Sequence, residues 1–392
     1  MSRNIAVGID IGTYQVKVVV AEDATQNGDH TPRIVGTGLA ESKGLRHGYI
    51  INSADITRSI TQAVRQAEKT SGINIRRAFI SIGGIGLQGI ISTGSLIISR
   101  ADMEISDLDV LKVLEAAKET IPTALSQNRK IIHQIPIQYK VDGRLVLGRP
   151  EGMKGAKLEV RALFISCLSH HFDDLVEAIE EAGVKVIGEI AAPLAGSLVT
   201  VSKTQKIAGC VLANIGAETV SIVVFENNLP VSLEVFPIGS TDITNDIALG
   251  LKIPLEEAEQ IKLGGITATS YPRKKLEEII MARLSDMFEL IEAHLKKIGR
   301  NGLLPAGIII TGGGSGIGTI EDLARTSLKL PSRIASLSFG ANGKVQVKDS
   351  SWSVALGLCI FGFTEDEREI GFNGSVRKTI SAVIDWVKQF LP

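Results

Sequence analysis

Four residues near the N-terminus, Asp10, Gly12, Thr13 and Lys17, have the chemistry and spacing of a phosphate-binding turn. A glycine at a tight turn lets backbone N–H groups approach a phosphate closely, and Thr13 adds a hydroxyl donor. Lys17 supplies a positive charge for an anionic oxygen, and Asp10 could hold Mg²⁺ through water. An ordinary β-hairpin has the same pattern, so this stretch alone leaves both interpretations open.

A second stretch, residues 210–226, repeats this pattern at an offset of 204 positions (214 minus 10). Asp10 corresponds to Asn214 and Gly12 corresponds to Gly216, and the apolar positions that follow them also match. A duplicated strand–turn–strand unit suggests two related half-molecules that face one ligand across a cleft.

A third glycine-rich strand end follows. Residues 307–310 form an apolar strand, residues 311–314 form a Thr-Gly-Gly-Gly turn, and a helix begins at about Ile320. Three such strand ends, two of them duplicated, indicate a nucleotide clamp. The intervening residues form short apolar strands and amphipathic helices, as at 77–82 and 56–70, so the fold class is α/β.

Composition limits the function. The chain has 392 residues, of which 44% are hydrophobic, 22% charged and only 4% aromatic, and its net charge is −1. This globular profile allows two or more domains and gives no general attraction to nucleic acid. The cysteines lie far apart in apolar runs, which predicts reduced core residues of a cytosolic protein, and the N-terminus lacks a signal peptide. No run reaches the ~18 apolar residues that span a bilayer, so membrane contact would be peripheral.

The hydrophobic pattern changes at several points along the chain. The Gly-Gly-Ile-Gly run at residues 83–86 ends the first pattern, and residues 84–157 resemble an independent strand–helix–strand unit. A strand at 158–168 is then expected to return to the first lobe. Residues 252–304 are mostly helical, with a long amphipathic helix at 274–298.

The C-terminal residues predict an amphipathic helix. Residues 364–374 are polar and contain glycine, as a short linker does, and they precede residues 375–392. The apolar face, with Trp386 near its edge, consists of Val376, Ile380, Val383, Ile384, Val387, Phe390 and Leu391. An indole suits the lipid interface, and the excess of Lys and Arg over Asp favours anionic lipid. A helix docked on the core would show the same face, but the preceding linker favours membrane binding.

The order of the three turns resembles that of the actin/Hsp70/sugar-kinase ATPase superfamily. The closer resemblance, over essentially the whole chain, is to the FtsA family of bacterial cell-division proteins. It is carried by the loop spacing, the insert after Gly84, the C-terminal helix, and the runs 258–262, 310–313 and 353–358. The resemblance implies an actin-like two-lobed ATPase fold with duplicated ribonuclease-H-like halves, an inserted α+β subdomain and a C-terminal amphipathic helix.

The resemblance also implies domain boundaries. These are a first lobe (1–83 and 158–200), an inserted subdomain (84–157), a second lobe (201–251 and 305–363), a helical subdomain (252–304), a linker (364–374) and a membrane-targeting helix (375–392).

The same resemblance implies ATP and Mg²⁺ in the cleft, with Asp10 toward the metal. Glu259 and Lys262 are placed over the ribose and adenine, although a solvated helix ion pair would have the same i,i+3 spacing. The expected nucleotide-binding residues are Asp10, Gly12, Thr13, Tyr14, Lys17, Asn214, Gly216, Ala217, Glu218, Thr219, Gly239, Glu259, Lys262, Gly312, Gly313 and Gly314.

Two positions predict slow or absent ATP hydrolysis. Asn214 stands where the superfamily has an acid, and Ala192 stands at the start of the crossing helix, where relatives carry Glu or Gln. Glu218 could partly substitute, although its charge would repel phosphate. Both positions lack a side chain that would activate the attacking water, so no catalytic residue is assigned. ATP is therefore expected to act mainly as a structural ligand.

The resemblance implies a peripheral protein on the cytoplasmic side of the cell membrane at the division site. Such a protein forms filaments, binds the C-terminal peptide of the tubulin-like protein FtsZ, and contacts other division proteins through the inserted subdomain. Lys296, Lys297 and Arg300 are candidates for the FtsZ contact, but they also complement a helix C-terminus. Two other functions stay open: a PilM-like type IV pilus scaffold, and a small-molecule kinase of the same superfamily.

Overall fold

The computed structural model describes residues 4–23, 32–265, 271–337 and 349–371, with side chains as far as residue 364. Within these ranges the strands form two five-stranded sheets, one four-stranded sheet and a two-stranded hairpin.

The first lobe begins with an antiparallel meander of three strands, and the fourth strand of its sheet lies parallel to the first. Its elements are β1 (Ile5–Ile11), β2 (Gln15–Asp23), β3 (Pro32–Glu41), β4 (Leu45–Arg46), β5 (Tyr49–Ile50), α1 (Ser53–Ser71) and β6 (Arg77–Ile82). Helix α1 covers β3 closely, since a Cβ on Gly38 would stand 1.9 Å from the Ala63 carbonyl oxygen. A side chain at this glycine would therefore push the helix off the sheet.

The inserted subdomain is a four-stranded antiparallel sheet with a helix on one face. Its elements are β7 (Gln88–Ile97), α2 (Asp107–Glu119), α3 (Thr123–Ser126), β8 (Arg129–Val141), β9 (Arg144–Val146) and β10 (Lys157–Leu168), and the strand order is β7-β10-β8-β9. Helix α2 starts at a capping box formed by Ser106 and Asp109 and buries Val110, Val113 and Leu114.

The prediction that residues 158–168 form a strand of the first lobe is wrong. Strand β10 lies in the middle of the inserted sheet, because it pairs with β7 from Lys157 to Ser166 and with β8 from Leu158 to Leu168. Its alternating polar and apolar residues fit a lobe strand equally well, and only its pairing partners distinguish the two cases. The inserted subdomain therefore extends to Leu168.

The chain then returns to the first lobe through α4 (Ser169–Glu181), β11 (Lys185–Ala191) and α5 (Ala192–Thr200). Helix α4 is followed by Gly183 in the left-handed region, as expected for a helix stop (φ +85°). Strand β11 pairs in parallel with β6 and completes the order β11-β6-β1-β2-β3.

The second lobe repeats the first in topology. Its elements are α6 (Lys203–Ala208), β12 (Cys210–Ile215), β13 (Val220–Glu226), β14 (Leu229–Phe236), α7 (Ser240–Leu251), α8 (Leu255–Lys262), α9 (Arg273–Lys297), β15 (Ile308–Thr311), α10 (Ile320–Leu328), β16 (Ser332–Ile334) and α11 (Ser353–Gly371). The order β14-β13-β12-β15-β16 has an antiparallel meander on one side of β12 and two parallel strands on the other. The two halves thus have the same strand order and directions, and the predicted duplication is confirmed.

Helices α5 and α11 cross between the lobes at their centre. Gly357 of α11 lies against α5, where a Cβ would stand 1.9 Å from the Ala195 carbonyl oxygen. Helix α11 also lies on the first sheet, where a Cβ on Gly8 would meet the Ala355 carbonyl oxygen at 2.5 Å. The resemblance assigns residues 353–363 to the second lobe, but they pack on the first, because the chain crosses over after β16.

Helix α11 ends at Gly371, so residues 364–371 of the predicted linker are helical. The rest of that linker and the predicted amphipathic helix, 375–392, lie outside the described residues. In the described part of the chain, no helix has the length and apolar character needed to cross a bilayer.

Candidate functional site

The two predicted phosphate turns have the same backbone structure. The Gly12 N–H donates to the Gln15 carbonyl at 3.1 Å, and the Gly216 N–H donates to the Thr219 carbonyl at 2.8 Å. The paired strands are also in the same register, because Asp10 lies opposite Lys17 and Asn214 lies opposite Ser221. The sequence duplication therefore corresponds to a duplicated hairpin.

Both hairpins line one cavity of about 450 Å³ between the lobes. The predicted residues among its walls are Asp10, Gly12, Thr13, Tyr14, Lys17, Asn214, Gly216, Ala217, Thr219, Glu259, Lys262, Gly312 and Gly313. The expectation that the duplicated turns face a shared cavity is confirmed, whereas binding of a nucleotide stays a prediction. A larger cavity, of about 760 Å³, lies between the inserted subdomain and the second lobe, and it contains none of these residues.

The first lobe contributes the charged groups at the turns. The Ser81 hydroxyl donates to Asp10 Oδ1 at 2.8 Å, and Lys17 Nζ donates to the Ser351 carbonyl at 2.9 Å. Burial raises the pKa of the Asp10 carboxyl, and the Lys17 ammonium opposes that rise. Burial lowers the pKa of Lys17, against the attraction of Asp10 and Asp349. A desolvated cation beside a cavity is suited to an anionic ligand, because its interactions are little screened by water.

The second lobe offers neutral groups at the equivalent positions. Asn214 replaces Asp10, and Ser221 replaces Lys17, so the two oppositely charged residues of the first hairpin have no counterpart in the second. Asn214 packs tightly against the third turn: a Cβ on Gly312, whose φ is +91°, would stand 2.3 Å from its Oδ1. The lobes therefore offer a ligand different chemistry despite their common fold.

The third turn is held by hydroxyl groups. The Thr311 hydroxyl donates to the Ser350 carbonyl at 2.9 Å, and the Ser315 hydroxyl donates to the Gly312 carbonyl at 2.7 Å. The Ser315 and Ser350 hydroxyls are also 2.9 Å apart. These contacts tie the glycine turn to the start of α11, which fixes one wall of the cavity.

Glu259 and Lys262 form an ion pair in the wall of the cavity. Lys262 Nζ lies 2.7 Å from Glu259 Oε2 and donates to the Thr244 hydroxyl at 2.9 Å and to the Ser240 carbonyl at 3.2 Å. The Thr244 hydroxyl also bonds to the Glu259 carboxylate. Lys262 is buried and Glu259 is half-buried, so this is a fixed network that joins α7 to α8 rather than a solvated surface pair.

Three predicted residues do not line the cavity. Gly239 supports the second turn from behind, where a Cβ would stand 2.2 Å from the Ala217 carbonyl oxygen, and Gly314 packs against Ile215. The Glu218 carboxylate accepts a hydrogen bond from the His47 backbone N–H of the first lobe. In the structure, Glu218 thus contacts the opposite lobe, and it does not stand in for the missing acid.

Sequence reasoning missed several polar residues of the cavity, among them Ser81, Ser221, Thr241, Asp349 and Ser351. Ser81 had a usable signal, because it lies near the end of β6, which is parallel to β1, and the carboxyl ends of parallel strands meet at one edge of a sheet. Asp349 and Ser351 had no such sequence signal, because they lie beside the site only through the crossing of the chain back to the first lobe.

The predicted position of the crossing helix is confirmed. Ala192 and Pro193 begin α5 and line the cavity beside the turns, and neither has a polar side chain that could orient water.

The cavity could hold a magnesium ion whose ligands are mostly phosphate and water oxygens. In the described ranges there is no group of three or more His, Cys, Asp or Glu side chains that could hold a metal. Mg²⁺ needs only one or two carboxylates when phosphates and water complete its shell. Asp10, with one oxygen already bonded to Ser81, fits that role.

The basic residues proposed for a peptide contact are partly neutralised. Lys296 pairs with Glu292 at 2.9 Å, and Arg300 pairs with Glu226. Arg300 also lines the larger cavity. Only Lys297 of the three has no ion pair within 4 Å among the described residues, so the charge available to an acidic peptide is smaller than the sequence suggests.

Known proteins resemble this chain in sequence and in structure. A family model described as "Cell division protein FtsA" matches residues 211–357, and one described as "SHS2 domain inserted in FTSA" matches residues 84–166. The latter range includes most of β10, in agreement with the corrected boundary of the inserted subdomain.

The curated relatives include cell division protein FtsA of Borreliella burgdorferi, which is 33% identical over 92% of this chain and 91% of its own. FtsA of Bacillus subtilis is 29% identical over 95% of this chain and 87% of its own. Among solved structures, a PilM–PilN type IV pilus biogenesis complex has a TM-score of 0.68 at 18% identity, covering 92% of this chain and 99% of that one. MreB5 of Spiroplasma citri bound to ADP has a TM-score of 0.54 at 12% identity, and the match covers 94% of this chain and 99% of that one.

Proposed function

Because this chain belongs to the FtsA family of cell-division proteins and has an actin-like ATPase fold, we propose that it binds ATP with Mg²⁺ and tethers FtsZ filaments to the membrane. The tether would act on the cytoplasmic side of the cell membrane, at the division site. ATP would bind in the cleft between the lobes, and the C-terminal amphipathic segment would bind lipid.

The observation that carries the proposal is that two turns with the same backbone hydrogen bond line one cavity. Gly12 and Gly216 face it from opposite lobes, and Lys17 adds a cation on one side. Backbone N–H groups at such turns, together with a lysine, suit the phosphates of a nucleotide. The cavity volume of about 450 Å³ is also within the range of small-ligand sites.

ATP would act as a structural ligand more than as a substrate. Asn214 cannot accept a proton, and Ala192 cannot orient water, so neither position supplies a group that activates the attacking water. A ligand held by both lobes favours the closed arrangement by its differential affinity for that state. We propose that this closed state is the one that self-associates into filaments.

The membrane contact is proposed from sequence. If they form the predicted helix, residues 375–392 would have apolar side chains on one face with Trp386 near its edge, and their basic residues outnumber the single acidic residue, Asp385. The FtsZ peptide contact is assigned to the helical subdomain, with Lys297 its best-placed cation, and contacts with other division proteins are assigned to the inserted subdomain.

Vesicle sedimentation with truncated protein tests the tether. Full-length protein should pellet with anionic vesicles, whereas protein ending at Gly374 should stay in the supernatant and still bind a fluorescent ATP analogue. Val387→Glu, on the apolar face, should also release the protein, and the matched control Gln389→Glu, on the polar face, should release it far less. Equal pelleting of the truncated and full-length proteins would contradict the tether.

Electron microscopy of the protein with ATP on a lipid monolayer tests the filament. Filaments are expected on the lipid only when residues 375–392 are present. A pilus scaffold related to PilM and a small-molecule kinase are the alternatives. Binding to vesicles would argue against the first, and absence of ATP consumption in a substrate screen would argue against the second.

A further inference from the structure

A short hairpin of the first lobe touches the second phosphate turn. This hairpin, residues 44–50, contains β4 and β5, and His47 is at its tip with a φ of +49°. The His47 N–H donates to the Glu218 carboxylate, and His47 Nδ1 lies 3.2 Å from the Glu218 carbonyl oxygen. Glu218 directly follows Ala217, which lines the cavity, so this contact joins the two lobes beside the site.

The same hairpin rests on the root of the inserted subdomain, the turn at residues 83–86. The Ile85 N–H donates to the His47 carbonyl at 3.1 Å. A Cβ on Gly48 would stand 2.3 Å from the Gly84 Cα, which shows that the two backbones are in direct contact. His47 therefore contacts the second phosphate turn through its N–H and the root turn through its carbonyl.

The side chain of Tyr49, in the same hairpin, packs against the segment that follows the inserted subdomain. The Tyr49 ring packs edge-on against His171, with the ring centroids 5.1 Å apart, and His171 belongs to α4, which directly follows β10. The Tyr49 hydroxyl also stands 2.7 Å from the position of a Cβ on Gly86. Both chain segments that connect the inserted subdomain to the first lobe thus meet this hairpin.

We propose that the hairpin at 44–50 is a latch that couples the second phosphate turn to the orientation of the inserted subdomain. A shift of Glu218 moves His47, and because the hairpin and the root turn are in backbone contact, the root turn has to move with it. His47 and Glu218 are positioning residues in this scheme. The coupling to nucleotide rests on the proposed ATP site, whereas the latch itself does not.

Hydrogen exchange of the Ile85 amide tests the latch without nucleotide. Glu218→Ala removes the acceptor for His47, so exchange at Ile85 should become about tenfold faster, which corresponds to 1.4 kcal/mol of lost local stability. Glu218→Gln keeps the size and a hydrogen-bond acceptor, and should be intermediate. Glu277→Ala, at an exposed position on α9, is the matched control and should leave exchange at Ile85 unchanged. Unchanged exchange in Glu218→Ala, with thermal unfolding like that of the parent, would overturn the latch.

A second measurement adds ATP and Mg²⁺. In the parent protein, nucleotide should slow exchange at Ile85 and Leu87, and in Glu218→Ala this effect should vanish although a fluorescent ATP analogue still binds. The same slowing in Glu218→Ala would overturn the coupling. If the parent binds no analogue at all while Glu218→Ala still speeds exchange at Ile85, the proposed ATP function fails and the latch stands.

Discussion

Lys17 donates from its ammonium group to the backbone carbonyl of Ser351, at a distance of 2.9 Å and across 334 positions of sequence. The first phosphate hairpin is thereby joined to the start of α11, the helix that crosses back from the second lobe. Lys17 also lies beside the cavity, where burial lowers the pKa of its ammonium group. One cation therefore serves both the fold and the candidate ligand site.

Replacing Lys17 should weaken nucleotide binding. Lys17→Met keeps the apolar stem and removes the charge, and hydrogen bonds to charged groups contribute about 1.5–3 kcal/mol. We expect affinity for a fluorescent ATP analogue to fall at least about tenfold, or 1.4 kcal/mol. Lys43→Met, at an exposed position outside the cavity, is the control. Equal affinity of the two variants would contradict a role for Lys17 in binding.

Restoring polar groups should raise ATP turnover. Asn214→Asp with Ala192→Gln places an acid at the second turn and an amide at the crossing helix, where both could act on water. We expect turnover to rise at least about tenfold from a parent rate below about one per minute, which is far under the 1–100 per second of kinases. Adding Asp10→Asn should abolish the gain, which would exclude a contaminating ATPase. A parent rate well above one per minute would contradict the proposed structural role of ATP.

A methyl group behind the second phosphate turn should displace that turn. In Gly239→Ala the new Cβ would stand 2.2 Å from the Ala217 carbonyl oxygen, so the backbone has to move. Overpacking of this kind costs about 1–3 kcal/mol, and ATP should then stabilise the variant less than the parent in thermal unfolding. Gly318→Ala is the matched control, since its Cβ would meet no atom within 4 Å. Equal stabilisation by ATP in both variants would argue against loop support by Gly239.

His133 should make stability depend on pH. Its Nε2 accepts the Ala191 N–H at 3.0 Å, and burial lowers the pKa of the imidazole to about 3. In the unfolded chain the pKa is about 6.5, so unfolding takes up a proton between these values, and stability falls as the pH drops below about 6.5. At 1.36 kcal/mol per pH unit, the loss between pH 7 and pH 5 is about 2 kcal/mol.

Urea unfolding at pH 7 and pH 5 checks this dependence. His133→Gln can still accept the Ala191 N–H through its side-chain carbonyl, and it should lose about 2 kcal/mol less than the parent over this range. Burial also lowers the pKa of His171, and it lowers the pKa of His294 to about 4; both histidines are present in both proteins, so their contributions cancel in the comparison. The same pH dependence in His133→Gln and the parent would contradict the assignment.

The parts of the site that lie within one hairpin were predictable, because their functional residues are close together in the sequence. Asp10, Gly12 and Lys17 lie on one hairpin, and the period-two pattern that forms this hairpin also puts Asp10 opposite Lys17. The repeat at Asn214 and Gly216 could be found by alignment alone, and so could the two-lobed architecture that follows from a duplicated unit.

The pairing partners of the strands and the contacts between the two lobes were not predictable from local sequence. Strand β10 has the composition of a lobe strand, and yet it forms the centre of the inserted sheet, because strand pairing is decided by contacts between distant residues. Glu218 had the features of a nucleotide contact in the sequence, and only the fold shows that its carboxylate is bonded to His47 of the other lobe.

The sequence by itself determined the three glycine turns, the duplication and the neutral residues, Asn214 and Ala192, that replace water-activating groups. It did so because local backbone preferences and side-chain chemistry act over a few residues. Only the tertiary structure decided that Lys17 is held by Ser351, that α11 lies on the first sheet and that the hairpin at 44–50 joins the second turn to the inserted subdomain. Those contacts join residues far apart in sequence, and they form only when the packing of both lobes offsets the entropy of bringing them together.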